Sequence, residues 1–174
     1  MANKPNLLFI LTDQQRADTL GCYGNNVIQT PNLDTLARES FVFENAYVSQ
    51  PVCTPARATI MTGLYPHTHD CITNNTPLGP QSRTIAEMVS GEYICGYYGK
   101  WHLGDELVPQ HGFDRWLSTE DAYRAHYSNK EYLSRLSDYH RFLVEKGFKP
   151  DSESYGSMVF ARDTEAKMPE QYTK

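Results

Sequence analysis

A thiol, a rigid turn and a fixed cation fall within one short stretch, Cys53-Thr54-Pro55-Ala56-Arg57. Proline has no N–H to lose and holds its own backbone near helical φ, so Pro55 predicts a helix starting there. Such a helix turns its free N–H groups and the positive end of its dipole toward an anion beside Cys53. Arg57 adds a forked, permanently charged donor suited to an oxyanion. Read alone, Cys53 is either a nucleophile, or the precursor of one, or a buried cysteine ahead of a Pro-initiated helix.

Two other segments carry chemistry. Asp13-Gln14 sets a carboxylate beside an amide, both hard oxygen donors that suit Ca²⁺ or Mg²⁺. The alternative for Asp13 is a turn residue capping backbone N–H groups, and Asp18 reads as structural. Gly99-Lys100-Trp101-His102-Leu103-Gly104 offers a point charge in Lys100 and a proton shuttle in His102, with glycines that permit close backbone approach. By itself it is also an ordinary loop with an exposed lysine and a histidine of no special duty.

The elements that must position these groups follow from the apolar pattern. Asn6 to Thr12 is continuously apolar around Leu7–Leu11 and predicts a buried parallel strand, with polar residues starting abruptly at Asp13. Ligands collect beyond the carboxyl ends of such strands. Thr30-Pro31 predicts a helix start, with Leu33, Leu36 and Ala37 on one face. Phe41 to Val48 alternates as a strand would, and Pro55 to Met61 predicts a helix ending at Gly63. Ser82 to Val89 has a short helical pattern and Tyr93 to Tyr98 reads as a strand. This order predicts a layered α/β domain. Beyond Phe113 a helical stripe of Tyr123, Tyr127, Tyr132, Leu133, Leu136, Tyr139, Phe142 and Leu143 runs through a polar setting and reads as packing.

Composition sets the outer bounds. The 174 residues suit one domain, with 40% hydrophobic and 21% charged residues, ordinary for a globular protein. A net charge of −5 without a basic cluster argues against nucleic-acid binding. Cys22, Cys53, Cys71 and Cys95 form no C-x-x-C pair, so neither a zinc site nor a disulfide framework is expected. The Leu7–Leu11 run is too short for a signal sequence or a membrane span. No membrane association and a cytoplasmic location are therefore expected, or a periplasmic or secreted one if a leader has been removed.

Taken in order, these motifs resemble the N-terminal part of a sulfatase, in the alkaline-phosphatase-like superfamily. The resemblance runs from about Pro5 to Phe113 and rests on Pro5-Asn6-Leu7-Leu8-Phe9-Ile10-Leu11-Thr12-Asp13-Gln14, Thr30-Pro31-Asn32-Leu33-Asp34, Cys53-Thr54-Pro55-Ala56-Arg57 and Gly99-Lys100-Trp101-His102-Leu103-Gly104. It implies a layered α/β/α domain with a mostly parallel sheet, incomplete at the C-terminus. Residues 1–115 would form the first part of the catalytic domain, and 116–174 a helical, Tyr-rich insertion with a polar tail.

The resemblance also implies roles. Cys53 would be oxidised by a separate formylglycine-generating enzyme to 3-oxoalanine (formylglycine), whose hydrate supplies the attacking hydroxyl and can expel sulfate by reforming the carbonyl. Arg57 would orient that hydrate. Asp13 and Gln14, with residue 53, would hold Ca²⁺, or less readily Mg²⁺. Lys100 would contact the nucleophile and sulfate, and His102 would assist proton transfer. His67 and His69 would lie near the site, either touching substrate or sitting as packed or exposed loop residues. The substrate would be a sulfated small molecule or carbohydrate. The family's later metal ligands have no counterpart here, so the chain alone is expected to be inactive and to self-associate through exposed sheet edges. Two rival readings remain: a phosphonate or phosphate monoester hydrolase of the same superfamily, and a non-catalytic domain that binds an anion or a partner. A smaller departure, Ser90-Gly91-Glu92-Tyr93, shortens a turn.

Overall fold

The computed structural model describes residues 4–89, 91–119 and 126–147. The chain divides into two compact units, Met1–Tyr47 and Val48–Lys174. In the first, short 3₁₀ turns at Ala17–Thr19 and Gly21–Tyr23 lead to helix α1, Pro31–Arg38. Proline at its start and Arg38 in its last turn are the signals a helix of this length needs. Asp34 organises the turn before it: its carboxylate accepts the Cys22 N–H at 2.8 Å and the Thr30 hydroxyl at 3.0 Å.

Two expected strands do not form in this unit. Residues 6–12 carry no regular secondary structure and join no sheet among the described residues, and Leu7 and Leu8 are 78% and 82% exposed. Residues 41–48 likewise have no sheet partner among the described residues, with Phe41, Phe43 and Tyr47 exposed. The physical reason is that a strand is not a local structure. Its N–H and C=O groups need a neighbouring strand, and apolar patterning by itself cannot supply one.

The second unit holds α2 (Cys53–Thr62), α3 (Pro66–His69), α4 (Ile85–Met88), β1 (Gly96–Gly99), β2 (Arg115–Ser118), a 3₁₀ turn at Lys130–Ser134 and α5 (Asp138–Glu145). Helix α2 ends as expected at Gly63, whose φ of +71° suits glycine and whose N–H closes on the Thr59 carbonyl at 2.8 Å. It begins two residues earlier than Pro55 suggests, so Cys53 itself is the first helical residue. Helix α4 carries a full capping box between Thr84 and Glu87.

β1 and β2 pair in parallel, with Tyr97 opposite Trp116. β1 starts three residues after the expected Tyr93. The Tyr-rich stripe is broken in two, because the backbone extends at Arg135 before Ser137 caps α5 by accepting the His140 N–H; Tyr123 lies outside the described residues. One face of this pair, carrying Tyr97 and Trp116, is covered by aromatic packing, while Tyr98 and Leu117 on the other face are exposed. Ala58, Met61, Cys71, Leu78, Trp101, Leu103 and Trp116 form the core, with Tyr97 and Phe113 packed against it. Tyr97 stacks on Trp116 and meets the edge of Trp101, each with ring centroids 5.0 Å apart. The core therefore lies directly behind the start of α2 and the loop after β1. Among the described residues no helix is long and apolar enough to cross a membrane.

Candidate functional site

The site in the second unit is built where α2 begins. Val52 precedes the helix in an extended conformation and offers no side-chain cap. The first turn is satisfied from elsewhere: Pro55 has no N–H, and the Thr54 N–H donates to Asn74 Oδ1 at 3.0 Å. Cys53 is thus held at the positive end of a ten-residue helix.

The loop after β1 is delivered to this point by Arg57. Its guanidinium Nη1 donates to the Lys100 carbonyl at 2.5 Å and to the Tyr97 hydroxyl at 3.3 Å. The Tyr97 hydroxyl donates to the same carbonyl. Burial pushes the Tyr97 phenol up to about 12, so it remains a protonated donor. Gly99 turns the chain at φ +124°, a conformation open to glycine. Lys100 then reaches back so that Nζ lies 3.7 Å from Cys53 Sγ. Arg57, taken from the sequence as a direct anion ligand, is here also the tie between α2 and the Lys100 loop.

His102 is buried and sits at φ +58°, unusual for a residue with a side chain. Its N–H donates to Glu106 Oε1 at 2.5 Å, and the Trp101 N–H donates to Glu106 Oε2 at 3.1 Å. Its carbonyl accepts the Thr54 hydroxyl at 3.0 Å, and its ring Nε2 meets Asn75 Oδ1 at 3.2 Å. The second unit therefore brings Cys53, Arg57, Lys100 and His102 into one bonded assembly.

The other candidates are placed differently. His69 is buried; its Nδ1 accepts the Cys71 N–H at 3.1 Å, so Nε2 carries the proton toward Thr59 Oγ1, also at 3.1 Å. Desolvation holds its pKa below the ordinary histidine value. Both ring nitrogens thus serve the fold. His67 is exposed and stacks on Tyr65 with ring centroids 5.9 Å apart. Asp13 and Gln14 belong to the first unit and are exposed, Gln14 with φ +52°.

The donor chemistry of Asp13 and Gln14 fits a hard divalent cation. Ca²⁺ takes about six to eight oxygens, and among the described residues no group of three or more His, Cys, Asp or Glu side chains could hold a metal. The pair fits as part of a coordination sphere.

Asn74, Asn75, Tyr97 and Glu106 also belong to the site, although no motif in the sequence marks them. Thr73-Asn74-Asn75-Thr76 reads only as a polar loop. Glu106 left one signal, an acid just past a glycine-rich turn. Its burial beside two backbone donors becomes visible only in the fold.

The family model described as "Sulfatase" matches residues 5–164. The chain is 42% identical over 125 residues to an ulvan-active sulfatase of Formosa agariphila, covering 67% of this chain and 24% of that protein. Among solved structures, one bound to its substrate D-glucosamine-2-N,6-O-disulfate is 32% identical with a TM-score of 0.64, covering 70% of this chain and 24% of the other. A phosphonate monoester hydrolase of Agrobacterium radiobacter is 35% identical with a TM-score of 0.52, covering 55% of this chain and 19% of that one. The chain spans about a quarter of the length of the curated relatives it matches. The matched structures bear out the alkaline-phosphatase-like α/β fold expected from the motifs.

Proposed function

The chain belongs to the sulfatase family, and from that premise we propose that it supplies the nucleophile-bearing part of a sulfuric-ester hydrolase. The observation that carries this reading is Lys100 Nζ, 3.7 Å from the side-chain atom of residue 53 at the N-terminus of α2. An ammonium and a helix dipole converge there on the atom that would bond to sulfur, and both favour negative charge. Cys53 Sγ marks the place of the oxygen that formylglycine would present. When formed, that group supplies a hydroxyl nucleophile able to release sulfate afterwards.

The chain's own residues would do the rest. Lys100 holds the anionic sulfate and stabilises charge as the ester bond breaks. Arg57 keeps Lys100 in reach by anchoring its carbonyl. His102, buried and fixed at both backbone ends, holds or moves a proton at its imidazole. Asp13 and Gln14 would hold part of a divalent cation's oxygen shell, Ca²⁺ being the better match to a carboxylate–amide pair. A formylglycine-generating enzyme would act on Cys53 before this part of the site is packed. The substrate class we favour is a sulfated carbohydrate, on the strength of the ulvan-active relative and the sulfated-sugar complex among the matched structures.

A second reading, phosphonate monoester hydrolysis, draws on the likeness to the Agrobacterium enzyme. Matched aryl sulfate and phenylphosphonate esters, offered to the matured protein that carries this chain, separate the two. Preferred turnover of the sulfate, abolished in Cys53→Ala, is the expected result. Preferred phosphonate turnover, or sulfate turnover that survives Cys53→Ala, overturns it.

A further inference from the structure

We propose that Asn75 and Glu106 are positioning residues for His102, Glu106 setting its backbone and Asn75 its ring tautomer. The proposal deepens the reading of His102 as the proton-transfer group and rests on that reading only for its catalytic meaning. Two observations require something to hold this residue. Its φ of +58° is one that side-chain-bearing residues avoid, and its ring is buried in a loop between glycines 99 and 104.

Glu106 supplies the backbone restraint. Fully buried, it spreads its two carboxylate oxygens over consecutive N–H groups, Oε2 on Trp101 and Oε1 on His102. Two donors on one carboxylate fix the peptide between Trp101 and His102, and charge-assisted bonds are the strong ones. The Trp116 indole N–H donates to the Glu106 carbonyl at 2.7 Å, tying the same residue to β2 and the core.

Asn75 supplies the ring restraint. Its Oδ1 has only lone pairs to offer, so the imidazole nitrogen facing it at 3.2 Å must be the one that carries hydrogen. That sets neutral His102 as the Nε2–H tautomer and leaves Nδ1 as its basic nitrogen. Asn75 is itself held: its N–H donates to Thr54 Oγ1 at 3.3 Å, and the Thr54 hydroxyl donates to the His102 carbonyl. The circuit from Asn75 through Thr54 to His102 and back through the ring closes beside Cys53. A shift of any member would turn the imidazole.

The test needs no turnover. The full chain, labelled with ¹⁵N-histidine, gives long-range proton–nitrogen spectra in which His102 is assigned by its loss in His102→Gln. A neutral ring with Nε2 protonated and a slowly exchanging Nε2 proton is expected. Asn75 is exposed, so Asn75→Ala should leave the core intact and speed exchange of that proton about tenfold, the change for one lost hydrogen bond. Asn75→Asp keeps an acceptor and should restore protection. Glu106→Gln should accelerate backbone amide exchange at Trp101 and His102 about tenfold to a hundredfold. A protonated Nδ1 in the neutral ring, or unchanged exchange in Asn75→Ala, overturns the ring assignment. Unchanged amides in Glu106→Gln overturn the backbone one, and if that variant fails to fold the Asn75 pair still decides. Were these results obtained while the matured protein cleaved no sulfate ester, the positioning would stand and the functional reading would fall.

Discussion

Replacing Arg57 with lysine keeps a positive charge on α2 and withdraws the nitrogen that reaches two partners. In the native chain one nitrogen reaches both the Lys100 carbonyl at 2.5 Å and the Tyr97 hydroxyl at 3.3 Å, from a side chain only 7% exposed. Lysine has a shorter reach, so at least one of these bonds is lost. Hydrogen bonds to charged groups are worth about 1.5–3 kcal/mol net. The Lys100 carbonyl keeps the Tyr97 hydroxyl as a donor, so no acceptor is stranded and the larger penalty for an orphaned buried group does not apply. The expected cost is therefore about 2 kcal/mol. Both tryptophans, Trp101 and Trp116, lie in the core beside this contact, so urea unfolding followed by their fluorescence reports it. A lower midpoint with an unchanged slope is the expected signature. A double-mutant cycle with Tyr97→Phe should show coupling of about 0.5–3 kcal/mol, because the two side chains share one acceptor. A loss below about 0.5 kcal/mol in Arg57→Lys, within the range of ordinary surface changes, would refute the claim that Arg57 ties α2 to the Lys100 loop.

Two further outcomes follow from the buried groups. His69 has a folded pKa below its ordinary value of 6.5 because of desolvation. The unfolded chain therefore binds more protons, so stability is full above that value and declines as pH falls through it; titrating urea midpoints from about pH 7.5 to 5.5 should show a slope that flattens in His69→Gln. Cys71 is fully buried with its thiol pushed up to about 11, first by burial and then by the Asp70 charge, whereas Cys22 is exposed. Iodoacetamide at about pH 8 should label Cys22 and spare Cys71 until denaturant is added, since the thiolate is the reactive form; peptide mass mapping that finds both labelled in the native chain would contradict this packing.

What could be read from the sequence divides along a physical line. Helices α1 and α2 are legible because their signals are local: Pro31 starts one, and Gly63 ends the other through its left-handed cap. The runs around Leu7–Leu11 and Phe41–Val48 carry strand patterning and yet join no sheet among the described residues, since pairing depends on a distant segment. The only strands among the described residues, β1 and β2, pair Tyr97 with Trp116, and β2 left no signal strong enough to be named beforehand. At the site, Cys53, Arg57, Lys100 and His102 stand out by type and spacing. Asn75 and Glu106 do not, because an amide in a polar loop and an acid after a glycine turn gain their meaning only from what the fold places opposite them.

The central claim is that residue 53 becomes the nucleophile of a sulfuric-ester hydrolase. Its most direct test is the mass of the peptide bearing residue 53, measured alongside aryl sulfate turnover in protein made with graded amounts of formylglycine-generating enzyme. Turnover should rise in proportion to the fraction of Cys53 converted to the aldehyde and vanish where the thiol is intact. Equal turnover by fully unconverted protein would contradict it.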